Sequence, residues 1–246
     1  MRVVPTWAWA LEQNDRRLDF ASGPDVTMFA ESSAFQVTLH RHPAWKVVLP
    51  LGGHVEVGHG GGRTVAAAGV IVPPQLAHTC ATSSAYVALF LDPWMLRSDL
   101  GLVQLGESEA RRILAALGHT DRPDADLAAA HAELVALIGP GVPLDPRATH
   151  AVREITQTGS DALIGAVAAE VGLSPVRLRA LIRTSVGIPL TRLRQWARLR
   201  VALADLPRES VAAAAALAGF ADQAHFTRTA RHLLGRTPSS IGRSPS

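Results

Sequence analysis

The chain has 246 residues, 48% of them hydrophobic, which is room for two ordinary domains that each bury a core. Its net charge of +3 hides an imbalance: residues 147–246 carry 14 Arg against 6 acidic residues, a balance of +8, whereas residues 1–146 carry 10 cationic against 15 acidic, a balance of −5. One cysteine, Cys80, excludes an internal disulfide framework and any thiolate-built metal site, and the longest apolar runs fall far short of the ~20 residues of a membrane span.

Such asymmetry points to one half that meets a polyanion and another that does not. Lys46 is the single lysine, so nearly all the positive charge is Arg. The segment from Met1 to Phe20 holds Trp7, Trp9, Glu12, Asp15, Arg16 and Arg17 and so lacks the apolar core of a signal peptide. A soluble, cytoplasmic protein with no membrane partner is expected.

Along the chain, Phe35–His40, Trp45–Pro50, His54–Val57, Thr64–Val72 and Tyr86–Leu91 read as short strands, joined by turns at Gly52-Gly53 and Gly58–Gly62. One or two further strands are expected before Phe35. Several short strands at this spacing describe a barrel or sandwich. After Pro93 the period changes: Glu109–Leu117 suits a helix, and Leu127, Ala130, Leu134, Leu137 and Ile138 recur at helical spacing. These helices either pair two subunits or cover their own barrel.

From Asp145 the helix signals sharpen. Asp145-Pro146 is a cap with a first-turn proline; Gly159 ends that helix, Ser160 caps the next, and Gly172 ends it. Ser174-Pro175 repeats the device and Gly187 stops the helix. Leu193, Trp196, Leu199, Leu203 and Leu206 then mark a long amphipathic helix.

Two segments have the order of a helix-turn-helix. Ile164–Val171, the turn Gly172-Leu173 and Ser174–Val186 form the first; Val211–Ala218, the turn Gly219-Phe220 and Asp222–Leu234 form the second. Their turn glycines lie 47 residues apart and their terminating glycines 48, as expected for a repeated unit with one extra residue in the second copy.

The run from Gly219 through Ala221, Asp222, Phe226, Thr227, Thr229 and Arg231 to Gly235-Arg236-Thr237-Pro238 resembles the second-unit signature of AraC/XylS-type transcription regulators. The first unit is similar through Ser174, Leu178, Ile182, Arg183 and Gly187, followed by Trp196, Arg198 and Leu199; the likeness runs from Asp161 to Ile241. Ala230 departs from the usual phenylalanine, and Pro189-Leu190 from the usual Ser-Pro. The resemblance implies a sequence-specific regulator that binds double-stranded DNA, with RNA polymerase as a further partner, and the helices between Glu107 and Ile138 add the expectation of a homodimer. Base contacts are expected from Val176, Arg177 and Arg179 in the first unit and Gln223, Ala224, His225 and Arg228 in the second. Arg183, Arg194 and Arg231 are placed for phosphates, and His225 has a capping or packing role as its alternative.

In the N-terminal half, His40-Arg41-His42 is followed by His78 after Pro73-Pro74-Gln75-Leu76-Ala77. On a strand His40 and His42 share a face, a spacing open to joint metal binding. This resembles the two motifs of the cupin barrel, but Lys46 stands where the resemblance requires a glutamate and Gln75 where it requires a glycine. A cation there opposes a metal, so the expectation is no metal cofactor, His40, His42 and His78 being the residues that would hold one. An effector pocket is instead expected from His40, His42, Trp45 and His78. His54 and His59, near a glycine-rich turn, are expected to face solvent.

Together these readings give an α+β protein: a cupin-like β-barrel at 1–95 that senses a small effector, a helical connector at 96–145 suited to dimerisation, and an all-α DNA-binding domain at 146–246 with two helix-turn-helix units joined by a long helix. The competing reading is a metal-dependent cupin enzyme fused to a helical domain. Gly60-Gly61-Gly62 followed by Arg63-Thr64 lacks phosphate-loop spacing, and no catalytic triad stands out, so a non-enzymatic protein is expected.

Overall fold

The structure is a computed structural model that describes residues 7–13, 15–118, 125–157 and 164–241. Residues 1–6 lie outside it, as do Gly159, Ser160 and Asp161.

Eleven strands are described. They are β1 (Trp7–Gln13), β2 (Arg16–Ser22), β3 (Val26–Glu31), β4 (Gln36–His40), β5 (Trp45–Pro50), β6 (Val55–His59), β7 (Arg63–Ala67), β8 (Gly69–Val72), β9 (His78–Thr82), β10 (Tyr86–Leu91) and β11 (Val103–Leu105). Antiparallel pairing gives a seven-stranded sheet, β1-β2-β3-β10-β5-β8-β11, and a four-stranded sheet, β4-β9-β6-β7. Three strands rather than one or two precede Phe35, and the stretch expected as one strand over Thr64–Val72 divides between the two sheets at Ala68. The expected barrel is therefore two antiparallel sheets without a closed ring of pairing among the described residues.

Alternation decides what each face of the larger sheet buries. On β5, Trp45, Val47 and Leu49 point to one face, where they join Met28, Ile71, Leu89 and Leu91. Against this face pack α1 (Glu107–Leu117) and α2 (Leu127–Ile138) through Ile113, Leu117, Leu127 and Leu134. Those helices thus cover their own sheet, and β11 extends it from within the stretch expected as connector. The other face carries Phe20, Phe29, Val48, Val72, Ala88 and Phe90 into the interior.

Six α-helices follow, α3 (Pro146–Gln157), α4 (Ile164–Glu170), α5 (Pro175–Val186), α6 (Leu190–Asp205), α7 (Val211–Leu217) and α8 (Gln223–Leu234), and a 3-10 turn at Pro238–Ser240 comes after them. The first helix-turn-helix has a core of its own, with Val152, Ile155, Val167, Ala168, Leu178, Ile182 and Leu193. The second does not. Trp196, Leu199, Leu203, Phe226 and Leu233 belong to the same cluster as Trp9, Phe20 and Phe90 of the large sheet. The Trp9 indole donates to the Leu203 carbonyl at 3.1 Å, and Phe90 lies 5.2 Å from Trp196, ring centre to ring centre.

Candidate DNA interface and histidine cluster

Each helix-turn-helix is fixed by local chemistry at its ends. Gly172 (φ 66°) and Gly219 (φ 74°) take the left-handed conformation that makes the turns tight. Ser174 caps α5 by accepting from the Arg177 amide at 3.3 Å, with Pro175 in the first turn, and Asp222 caps α8 by accepting from the His225 amide at 2.6 Å. Gly187 (φ 74°) and Gly235 (φ 72°) close the two helices in the left-handed conformation.

With Leu178 and Ile182 turned into the core, α5 leaves Val176, Arg177, Arg179 and Arg183 exposed; Val176 is 73% accessible although apolar. On α8, Phe226, Thr229, Ala230 and Leu233 are buried, leaving Gln223, Ala224, Arg228 and Arg231 exposed. His225 is half-buried, its ring edge-on to Phe220 at 5.3 Å, which suits packing as well as contact. Arg194 is half-buried on α6. Of the two departures from the family pattern, Ala230 is fully buried, and Pro189 adopts the extended conformation before α6 (φ −61°, ψ 137°).

The four residues expected to line one effector pocket divide between two places. Lys46, not Trp45, faces the interior. Trp45 belongs to the opposite face, its indole donating to the Pro93 carbonyl at 3.2 Å, and it lines a cleft of about 580 Å³. That cleft runs between Pro73–Leu76 and Trp94 on one side and Thr184–Ile188, at the end of α5, on the other.

The histidines do meet. His40 and His78 are direct partners across β4 and β9, and ring centres lie 4.2 Å apart for His40 and His78, 5.4 Å for His42 and His78, and 5.8 Å for His40 and His42. The strand expected to align His40 with His42 ends at His40, so His42 is brought in by the following turn. A register shift between Val37 and His40 makes this arrangement. It leaves Thr38 and Leu39 both facing outward and rotates His40 inward. All three imidazoles are buried, which pushes their pKa values down, to about 3 for His78; Lys46 adds repulsion. Of the remaining histidines, His54 is exposed and 3.2 Å from Glu56, whereas His59 is half-buried opposite His78.

Sequence reading missed the seam between the sheets and the helices. Glu31, its side chain 1% accessible, pairs with Arg16 at 2.7 Å and with Arg236 at 2.9 Å, and accepts from the Tyr86 hydroxyl. The end of α8 rests on β4: the Thr38 amide and hydroxyl both donate to the Gly235 carbonyl, at 3.2 and 3.1 Å, and the Arg41 amide donates to that of His232 at 3.2 Å. The acidic Glu31 was legible, but its partners lie 15 and 205 positions away and no local pattern links them.

A helix-turn-helix domain model matches residues 167–244. A search of curated proteins returns no match. Among solved structures, an apo variant of ToxT from Vibrio cholerae superposes with a TM-score of 0.59 at 11% identity, over 87% of this chain and 95% of that one. A second ToxT structure gives 0.57 at 10% identity over 87% and 96%. ToxT from Vibrio cholerae bound to an unsaturated fatty acid gives 0.54 at 10% identity over 98% and 96%. At such identities the likeness is one of fold: an antiparallel sheet domain followed by a helical part. Residues 167–244, with their repeated capped units and exposed basic faces, match a helix-turn-helix domain.

Proposed function

We propose a one-component regulator in which 1–95 senses a small effector, 96–145 links, and 146–246 reads double-stranded DNA. The observation that carries the reading is the pair of recognition helices, each with one face sealed in a core and the other exposed, basic and free of the sheets at its N-terminal end. Val176, Arg177 and Arg179 on α5 and Gln223, Ala224, His225 and Arg228 on α8 are the proposed base contacts. Arg183, Arg194 and Arg231 are the proposed phosphate contacts. The 16 residues of α6 span ~24 Å, which suits two helices in successive major grooves on one face of the duplex.

The effector is proposed to be a small organic molecule in the cleft beside Trp45. Clefts between domains are favoured ligand sites, and this one touches both the sheet domain and the end of α5. ToxT, which shares the fold, has been solved with an unsaturated fatty acid. A cytoplasmic homodimer that meets RNA polymerase, and that binds rather than catalyses, completes the reading. No described helix is long and apolar enough to cross a membrane.

The test is operator selection from random DNA followed by affinity titration. Arg179→Ala and Arg228→Ala should each weaken the selected operator by ~1–3 kcal/mol and leave random DNA nearly unchanged. Equal losses on both DNAs would assign the two arginines to phosphates instead. Sedimentation with and without operator tests the dimer.

A further inference from the structure

We propose that the cleft beside Trp45 takes an uncharged aromatic molecule carrying a hydroxyl donor, and that this molecule acts on the first helix-turn-helix while the second stays in place. The inference deepens the effector reading above and rests on it; the class of ligand follows from the walls of the cleft.

Three observations carry the class. First, none of the described residues that line the cleft is charged. Arg97 and Asp99, on either side of the lining residue Ser98, bond each other at 2.6 and 3.0 Å and so offer no net charge, and Arg183 precedes Thr184 without lining the cleft. An ion entering here would give up water and meet no opposite charge. Secondly, the wall at Thr184–Ile188 is the C-terminal end of α5, where the Gly187 amide donates to the Arg183 carbonyl at 2.9 Å. The carbonyls after Arg183 have no further amide of the helix to accept from, and a helix end of this kind carries partial negative charge. It repels a carboxylate and accepts from a hydroxyl. Thirdly, the indoles of Trp45 and Trp94 and the ring of Pro74 give the cleft broad, rigid apolar walls, and its volume of about 580 Å³ is that of a small-molecule site.

Two lining residues are held in states that a bound ring would justify. Val142 is 73% accessible although apolar, and a ligand in the cleft covers it. Its position is fixed: the Gly141 amide donates to the Met95 carbonyl at 3.3 Å, and Gly141 lies so close to the Trp94 carbonyl that a Cβ has no room there. Gln75 adopts a left-handed backbone (φ 65°), kept by its amide donating to the His42 carbonyl at 2.9 Å. Residues strained in this way gather at ligand sites.

The link to the first unit is direct. Trp94 lines the cleft and also packs against the core of that unit, beside Ile164 and Val186. No residue of α8 lines the cleft, and the second unit is anchored in the core that runs from Trp9 to Phe226. A molecule that lodges between Trp94 and the end of α5 therefore bears on the first unit alone and changes the angle between α5 and α8. It shifts that angle by as much as its affinity differs between the two arrangements.

The experiment is calorimetric titration of the full-length chain at neutral pH with three probes of one shape: para-hydroxybiphenyl, biphenyl-para-carboxylate and para-aminomethylbiphenyl. One hydroxybiphenyl per chain is expected, with both charged probes weaker by at least ~tenfold. Val142→Lys should turn the preference towards the carboxylate, a gain that misfolding cannot produce. Equal or tighter binding of the carboxylate by the wild type, or no saturable binding of hydroxybiphenyl, overturns the ligand class. On adding hydroxybiphenyl, amide exchange should slow at Thr184–Ile188 and stay unchanged along α8; protection of α8 instead overturns the site. Operator affinity is then measured with and without hydroxybiphenyl, and a change of at least ~fivefold supports the action on the first unit. A bound probe with unchanged operator affinity overturns that action and leaves the ligand class standing. Failure to bind DNA in both conditions overturns the action together with the regulatory reading.

Discussion

Burying neutral imidazoles ties this protein's stability to pH. His78 falls to about 3 because burial strips water from the imidazolium and Lys46 repels it; His42 is driven well down by burial, then His78, then Lys46. In the unfolded chain both protonate near pH 6.5. Their contribution is therefore fully present above that pH and is lost as pH falls, at ~1.4 kcal/mol per histidine per pH unit. Asp92 acts the other way: burial lifts it to about 7 despite Arg200, so its contribution grows as pH falls from about 7 towards 4. Urea unfolding in metal-free buffer at pH 7.5, 6.0 and 5.0 should show wild-type stability falling, and the slope should be much shallower in a His42→Gln/His78→Gln chain. Parallel curves would mean that the imidazoles are not buried neutral. At the seam, Glu31→Gln leaves Arg236, only 16% accessible, without its carboxylate, and is expected to cost ~3–5 kcal/mol in chemical denaturation. Neither effect could be read from the residues themselves, because a glutamate and a histidine look the same in sequence whether buried or exposed.

At the scale of elements, helix boundaries were legible because caps are local. Ser174-Pro175, Asp222, Gly187 and Gly235 each act on amides or carbonyls within one turn, and the structure puts them at the ends where sequence did. Asp222→Ala should accordingly lower stability by ~1 kcal/mol and fray the turn that carries Gln223 and Ala224, seen as a lower Tm and faster amide exchange there. Strands were less legible. β4 takes a register shift that sends Leu39 outward at 66% accessibility, and alternation alone would not have produced two outward residues in succession. Gly235 shows an element contact hidden in a local motif: its helix-ending role was plain, its fit against β4 was not. Gly235→Ala is strained by the positive φ and clashes with the Thr38 carbonyl, so α8 should lift from β4, and limited proteolysis should cut the seam faster than in wild type.

Over the whole molecule, the continuous core from Trp9 and Phe20 to Leu203 and Phe226 makes the second helix-turn-helix part of the sheet domain's packing, whereas the first keeps its own core. The two recognition helices therefore differ in what can move them: α5 borders the open cleft, α8 stands on β4. The salt dependence of DNA binding follows the number of phosphates neutralised, and residues 147–246, with a balance of +8, carry the arginines proposed for those contacts. Log affinity should fall linearly with log salt, and Arg183→Ala should reduce the slope by about 1 while lowering affinity for operator and random DNA alike. An unchanged slope would remove Arg183 from the phosphate contacts.

By itself the sequence determined the α+β class, the two helix-turn-helix units with their caps and turns, and the charge imbalance between the two halves. Each of these rests on spacing within a few residues or on charge summed over a segment, and neither needs the fold to be known. Only the tertiary structure decided that the strands form two sheets rather than a closed barrel, that Trp45 and the histidines face different spaces, and that Glu31, Arg16, Arg236 and Tyr86 converge. Those outcomes depend on strand register and on contacts between residues as far as 205 positions apart. A one-residue change of register turns a side chain to the other face, and nothing in the neighbouring residues records it.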